Sequence, residues 1–294
     1  MKRSHPWMLT LLVLAGIFVI LLLAVGLLVL WLDGGDSLRG GDRVAVIRLE
    51  GMVIDPRPVV EAMERFGKDP KVRAMVLRVD TPGGAVGPTQ EIFQAVREWN
   101  QKKRVVASLG SMATSGGYYV ACGAERILAN PGTITGSIGV VVHLANLEKL
   151  LSKIGIEGDV VKSGAYKDMG SPNRPLTPAE RDLLQGVVDD VHDQFVQDVA
   201  EARRLPKDEV RALADGRVFS GRQALQLRLV DELGGLQDAV KVASRLGGIL
   251  GEPVVVEEPK ERFSLLNLLF GNAFPKLLSA GDAWFPFMGY VFHP

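Results

Sequence analysis

Four short segments hold the residue types from which a hydrolytic site could be assembled. In Ser111-Met112-Ala113-Thr114-Ser115-Gly116-Gly117-Tyr118-Tyr119, a strand gives way to a helix. A serine there has its hydroxyl near the positive end of a helix dipole, and the N–H of the following Gly116 is free to bind a developing oxyanion. This is the physics of a nucleophile elbow without its G-x-S-x-G spelling. Taken alone, the segment reads equally as a serine N-cap followed by glycines for close packing. Lys167, in Lys162-Ser163-Gly164-Ala165-Tyr166-Lys167-Asp168, is a candidate general base. That role needs a neutral amine. Lowering a lysine from about 10.4 toward 7 costs roughly 4–5 kcal/mol and requires a dry surround. An average lysine is simply solvated.

The other two segments are backbone features. Asp80-Thr81-Pro82-Gly83-Gly84 closes an apolar strand. Adjacent glycines let a backbone approach a ligand closely with N–H groups turned toward it; alone, the segment is a tight strand-to-helix turn. Gly132-Thr133-Ile134-Thr135-Gly136-Ser137-Ile138-Gly139-Val140 permits backbone crowding, and Ser137 can exchange hydrogen bonds with a polar neighbour; alone, it is a capped turn. Cys122 is the single cysteine, so neither an intrachain disulfide nor a cysteine metal cluster can form, and it reads as a small buried apolar residue. His143 and His192 leave a Ser–His–Asp triad open by spacing, because triad partners have no fixed order. His192, beside apolar Val191 on a long amphipathic helix, reads as a surface residue. Neither histidine has ligand spacing to another, so no metal and no cofactor is expected.

Together the four segments, in this order, resemble the signal peptide peptidase SppA family in its short, membrane-anchored form. The resemblance runs from about Arg43 to Leu236. It includes Asp215-Gly216-Arg217-Val218-Phe219-Ser220-Gly221 and Leu229-Val230-Asp231-Glu232-Leu233-Gly234. It implies a ClpP/crotonase-like α/β fold and a serine endopeptidase with a Ser–Lys dyad that degrades cleaved signal peptides. The resemblance carries the nucleophile onto Ser115, the general base onto Lys167, a lysine-orienting role onto Ser137, and oxyanion donation onto the backbone N–H groups of Gly84 and Gly116. It further implies ring-like homo-oligomers, in which dyad partners can come from neighbouring subunits or from one chain. Two alternatives remain: a related ClpP-class membrane peptidase of the SohB or NfeD-associated type, and a non-catalytic scaffold of the same fold. A crotonase-type acyl-CoA enzyme shares the fold, but an extracytoplasmic domain has no acyl-CoA supply.

The elements that must position these residues are readable. The chain has 294 residues and zero formal net charge, which gives no basic excess for nucleic acid. Trp7 to Leu32 carries no charge, long enough for a tilted membrane-spanning helix and too long for the apolar core of a cleaved signal peptide. Lys2 and Arg3 precede it and Asp33 and Asp36 follow, which puts residues 1–6 in the cytoplasm and the bulk outside the cell membrane. Residues 33–42 read as a Gly/Asp-rich linker.

Residues 43–258 then alternate strand and helix, with nearly continuous apolar strands at Arg43–Glu50, Val72–Val79, Arg104–Leu109 and Arg126–Ala129. That pattern predicts an α/β domain on a mostly parallel sheet. Helices are predicted at Pro58–Phe66, Thr89–Asn100 and Asn146–Ile154, and a strand at Gly158–Lys162. A capping box at Thr177-Pro178-Ala179-Glu180 starts a long helix. The tail, 259–294, gathers Phe263, Phe270, Phe274, Trp284, Phe285, Phe287, Tyr290 and Phe292, and reads as contact with membrane or with other subunits rather than as a cleft-filling segment. Bound peptides are expected to be apolar and extended, joining by strand addition.

Overall fold

A computed structural model describes residues 7, 14–21, 23–24, 41–258 and 288–291. The chain forms two compact units, Met1–Asp42 and Arg43–Pro294. In the first, residues 14–21 and 23–24 are helical. Among the described residues no helix is long and apolar enough to cross a membrane. The span expected over 7–32 falls largely outside the described residues, as do most of the linker and most of the tail.

The second unit runs β1 (Arg43–Glu50), α1 (Arg57–Lys68), β2 (Val72–Thr81), β3 (Gly83–Ala85), α2 (Val86–Lys102), β4 (Arg104–Thr114), α3 (Gly116–Ala121), β5 (Arg126–Ala129), β6 (Ile134–Gly136), β7 (Val141–Val142), α4 (Glu148–Lys153), α5 (Pro178–Arg203), α6 (Lys207–Leu213), β8 (Val218–Ser220), α7 (Gly221–Gln226), β9 (Glu232–Leu233), α8 (Leu236–Leu246), β10 (Val254–Glu257) and β11 (Met288–Val291). The main sheet has the order β10-β1-β2-β4-β5-β9, every pair parallel. β6 continues parallel to the far end of β4, and β8 closes antiparallel onto β6. The predicted α/β architecture with a mostly parallel sheet is therefore present.

Alternate residues explain why the strands read as unbroken apolar runs. In β1, Ala45, Ile47 and Leu49 face a core shared with Val59 and Met63 of α1 and Ile92, Phe93 and Val96 of α2. Val44 and Val46 face a second core with Ala239, Val240 and Ala243 of α8. Both faces are covered, so both sets of positions must be apolar. The capping box on α5 is present, with the Glu180 N–H donating to Thr177 Oγ1 at 3.2 Å and the Thr177 N–H to Glu180 Oε2 at 2.9 Å. Around residues 146–162 the sequence reading is corrected: α4 is shorter than predicted, and no strand forms over Gly158–Lys162, where the backbone is irregular and exposed. A strand needs a partner edge, and this segment meets none within the described residues.

One ion pair ties the end of α5 to the sheet. Arg203 donates from Nη2 to Asp231 Oδ1 at 2.9 Å and from Nη1 to Oδ2 at 3.0 Å, with side chains only 8% and 15% exposed. Asp231 Oδ2 also accepts the Ile127 N–H at 2.7 Å. Burial alone would raise the Asp231 carboxyl, but the Arg203 bonds and charge, with the Ile127 N–H, hold it below its ordinary value. A carboxyl held low in the fold stabilises it above the unfolded-state pKa near 4, and that contribution disappears as pH falls through the native value. Arg203→Ala leaves the buried carboxylate with only the longer contact to half-exposed Arg126 at 3.5 Å and the Ile127 N–H. It is expected to cost about 3 kcal/mol at pH 7 and much less near pH 3, read by urea unfolding at both values. An equal loss at both pH values would contradict this account.

Candidate active site

Ser115 occupies the N-cap position of α3 with φ 54° and ψ −117°, a conformation that L side chains rarely adopt. Such a residue is strained by about 1–3 kcal/mol, and its surroundings must hold it. Three contacts do so. Its N–H donates to the Gly136 carbonyl at 2.8 Å, its own carbonyl accepts the Tyr119 N–H at 2.9 Å, and α3 beyond it is buried throughout. Tyr118 donates to the Leu229 carbonyl at 2.8 Å, and Tyr119 bonds Asp198 and packs its ring 4.7 Å from both Phe93 and Phe195. Gly117 is glycine for a steric reason: a Cβ there would lie 2.6 Å from Thr81 Cγ2. The close packing expected of the glycines is present, but Ser115 is not a hydrogen-bonding cap. The cap's usual bond does not form, because Ser115 Oγ is buried with no hydrogen-bond partner. A hydroxyl held dry and unspent at a helix N-terminus is available to an incoming group.

The neighbouring segments meet this point. Thr114 pairs with Gly136, and Thr81 pairs with Ala113, so the Asp80–Gly84 segment and the Gly136-Ser137 turn flank Ser115. Ser137 is nearly buried, also at positive φ (52°), and its N–H donates to the Arg217 carbonyl at 2.8 Å. In β3, the Gly83 carbonyl accepts the Val53 N–H at 2.9 Å, and the Ala85 N–H donates to the Val53 carbonyl at 2.8 Å. Backbone groups alternate sides along a strand, so the N–H of Gly84 points to the other edge. On that edge lies β11, antiparallel, with Tyr290 opposite Gly84. β11 also pairs with β7 and touches α3, so residues 288–291 of the tail fill a slot one strand wide beside the helix that Ser115 begins, the cleft-filling position that the sequence reading set aside. Gly116, first in α3, has an N–H with no intrahelical acceptor.

Lys167 lies apart. Its side chain is exposed and is not bonded to Ser115 Oγ within one chain. Of the five residues singled out by sequence, Ser115, Gly116, Gly84 and Ser137 come together and Lys167 does not. His143 and His192 line an open cleft of about 520 Å³ that Ser137 also lines. Neither bonds Ser115, so a Ser–His–Asp triad is not assembled. His192 is half-buried rather than a surface residue. Cys122 is buried, and burial pushes its thiol up to about 12. Among the described residues no cluster of His, Cys, Asp or Glu is placed to hold a metal ion.

Sequence reasoning missed the residues that tether the Lys167 loop. Arg174 bonds both Asp168, next to Lys167, and the buried Glu180 on α5. Its hydrogen bonds hold the Asp168 carboxyl well below the carboxylate range, with Lys162 adding to the effect, and hold Glu180 at about 2. The capping box announced Glu180; nothing local marked Arg174.

Comparison with known proteins identifies the family. The model of peptidase family S49 matches residues 97–249, more than half the chain, from within α2 past the end of α8. A putative protease of Synechocystis is 43% identical over 74% of this chain and 80% of its own length. The chloroplastic serine protease SPPA of Arabidopsis thaliana is 32% identical over 80% of this chain, which spans 37% of that protein. A putative signal peptide peptidase SppA of Enterococcus faecium is 36% identical over 60% of this chain and 52% of its own length. With a strained, unspent serine at its centre and these relatives around it, the chain belongs to peptidase family S49, among the SppA-type serine peptidases.

Proposed function

We propose that this peptidase works through a Ser115–Lys167 dyad on a ClpP/crotonase-like domain and degrades apolar peptides, cleaved signal peptides among them, at a membrane surface. The observation that carries the reading is Ser115: a buried, partnerless Oγ at positive φ, at a helix N-terminus, with the Gly84 N–H turned into the adjoining slot. Neutral Lys167 takes the proton from Ser115 Oγ as the oxygen attacks the scissile carbonyl. The oxyanion is held by the N–H groups of Gly84 and Gly116. Lys167 then protonates the leaving amine, and water, activated in turn, hydrolyses the acyl-enzyme. Ser137 orients the lysine. A peptide would lie extended between β3 and β7 by displacing β11, whose antiparallel seating there supports that mode.

The dyad is completed between subunits of a ring-like homo-oligomer. Two features support this. Lys167 is solvated in a single chain, whereas a general base needs a dry site. The same region also exposes Leu150, Ile154, Ile156, Val160, Val161 and Tyr166, an apolar face of the kind that marks contact surfaces. The uncharged stretch 7–32 is the proposed single-pass anchor, with the peptidase unit outside the cytoplasm. The name of the Enterococcus relative supports signal peptides as substrates.

A fluorophosphonate applied to the full-length, detergent-extracted protein tests the assignment. Labelling is expected at Ser115 and nowhere else, together with hydrolysis of an apolar peptide. Labelling at another serine would remove the dyad. Silence toward both probe and peptide would favour the scaffold alternative. A preference for folded membrane proteins over short peptides would favour the SohB/NfeD-type reading.

A further inference from the structure

The segment from Ile154 to Leu176 contains neither helix nor strand, yet it carries Lys167. A general base must be placed within a fraction of an ångström, and loops of this length do not hold such precision unaided. Here the loop is clamped. Arg174 donates from Nε to Asp168 Oδ2 at 2.9 Å and from Nη2 to Asp168 Oδ1 at 2.8 Å. The same guanidinium donates from Nη1 to Glu180 Oε2 at 2.8 Å and from Nη2 to Glu180 Oε1 at 2.5 Å. Glu180 is only 3% exposed and is fixed to the first turn of α5 by the capping box. A rigid bridge thus runs from α5 through one planar group to the residue beside Lys167. Asp168 itself sits in tight turns, with the Lys167 N–H donating to the Gly164 carbonyl at 3.2 Å and the Met169 N–H to the Tyr166 carbonyl at 3.1 Å.

We propose that Arg174 is a positioning residue: by forking between Asp168 and Glu180 it fixes where the Lys167 amine stands during catalysis. The proposal rests on the reading of Lys167 as general base. Only a guanidinium can make two bidentate contacts from one plane, so lysine is no substitute. The arrangement has an electrostatic side as well. An unpaired carboxylate next to Lys167 would favour the charged ammonium, the wrong form for a base. Arg174 and Lys162, whose Nζ lies 2.6 Å from Asp168 Oδ1, neutralise that carboxylate, while Arg174 is the one cation paired with Glu180 among the described residues.

The test compares Arg174→Met, Arg174→Lys, Asp168→Asn and Lys167→Ala in the full-length enzyme, each normalised to folded protein by near-UV circular dichroism. Arg174→Met is expected to lower kcat about a hundredfold with KM within about twofold, and to move the acid limb of kcat/KM to higher pH. Arg174→Lys should restore the limb but not kcat. Asp168→Asn, which severs the clamp while removing the negative charge, should lower kcat without raising the limb, and it serves also if Arg174→Met fails to accumulate. A merely structural Arg174 would reduce the folded fraction and leave normalised kcat and the pH limb untouched, and that result overturns the proposal. Full activity in Lys167→Ala would instead remove the reading beneath it. An inactive Lys167→Ala beside a fully active Arg174→Met defeats the clamp alone.

Discussion

A chain carrying Ser115→Ala is expected to lose peptide hydrolysis by more than about a thousandfold while folding at least as well as the parent. The second half of that expectation comes from the site itself. Ser115 Oγ has no partner to lose, and removing a buried unsatisfied hydroxyl is neutral or stabilising. Differential scanning calorimetry should show an unchanged or slightly higher Tm beside the lost activity. Lys167→Ala should be equally inactive, and the two dead chains should complement each other. If each active site draws its serine from one subunit and its lysine from the next, co-refolding equal amounts of both variants regenerates about a quarter of the sites. No recovery on mixing would argue that the dyad forms within one chain. Hydrolysis surviving in either variant alone would end the dyad mechanism.

The second large effect is expected at Gly84. A Cβ there would stand 2.0 Å from the Val53 carbonyl oxygen and 2.6 Å from Val53 Cα, both backbone atoms that cannot rotate away. Gly84→Ala must therefore push β3 off Val53. The cost is two backbone hydrogen bonds at about 1 kcal/mol each, and the Gly84 N–H is swung out of line. Loss of one oxyanion donor costs about a hundred- to a thousandfold in kcat. The variant should combine a lowered Tm with turnover per folded site reduced by that factor, read by steady-state hydrolysis normalised to folded protein. Parental turnover from a destabilised Gly84→Ala would show that this N–H does not face the reacting carbonyl.

What could be read in the residues, and what could not, divides along physical lines. β5 was readable to the residue and β2 to within two, because continuous apolar runs have few other uses. β4 extends through Gly110 to Thr114, past its predicted end at Leu109. Its Gly- and Ser-containing half has weak strand propensity and is held by pairing with β6. Ser115's place ahead of a helix was legible, but its positive φ was not, because strain is imposed by the surroundings. The failed strand at Gly158–Lys162 and the shortened α4 lie in the exposed segment that leads to Lys167. There, local pattern had no partner surface to act on. Arg174 was invisible for a related reason: its worth comes from two carboxylates brought to it by the loop and by α5.

The slot between β3 and β7 has a consequence for substrate choice. A strand seated there offers its amide groups alternately to Gly84 on one side and to Val141 on the other, as β11 does through Tyr290 and Gly289. Recognition of this kind surveys main chain more than side chain, so many apolar sequences fit. It has a blind spot in imino acids: a proline at either register lacks the hydrogen to share, and its ring crowds the flanking strand. Peptides bearing proline within a residue or two of the scissile bond should persist where their alanine counterparts are consumed.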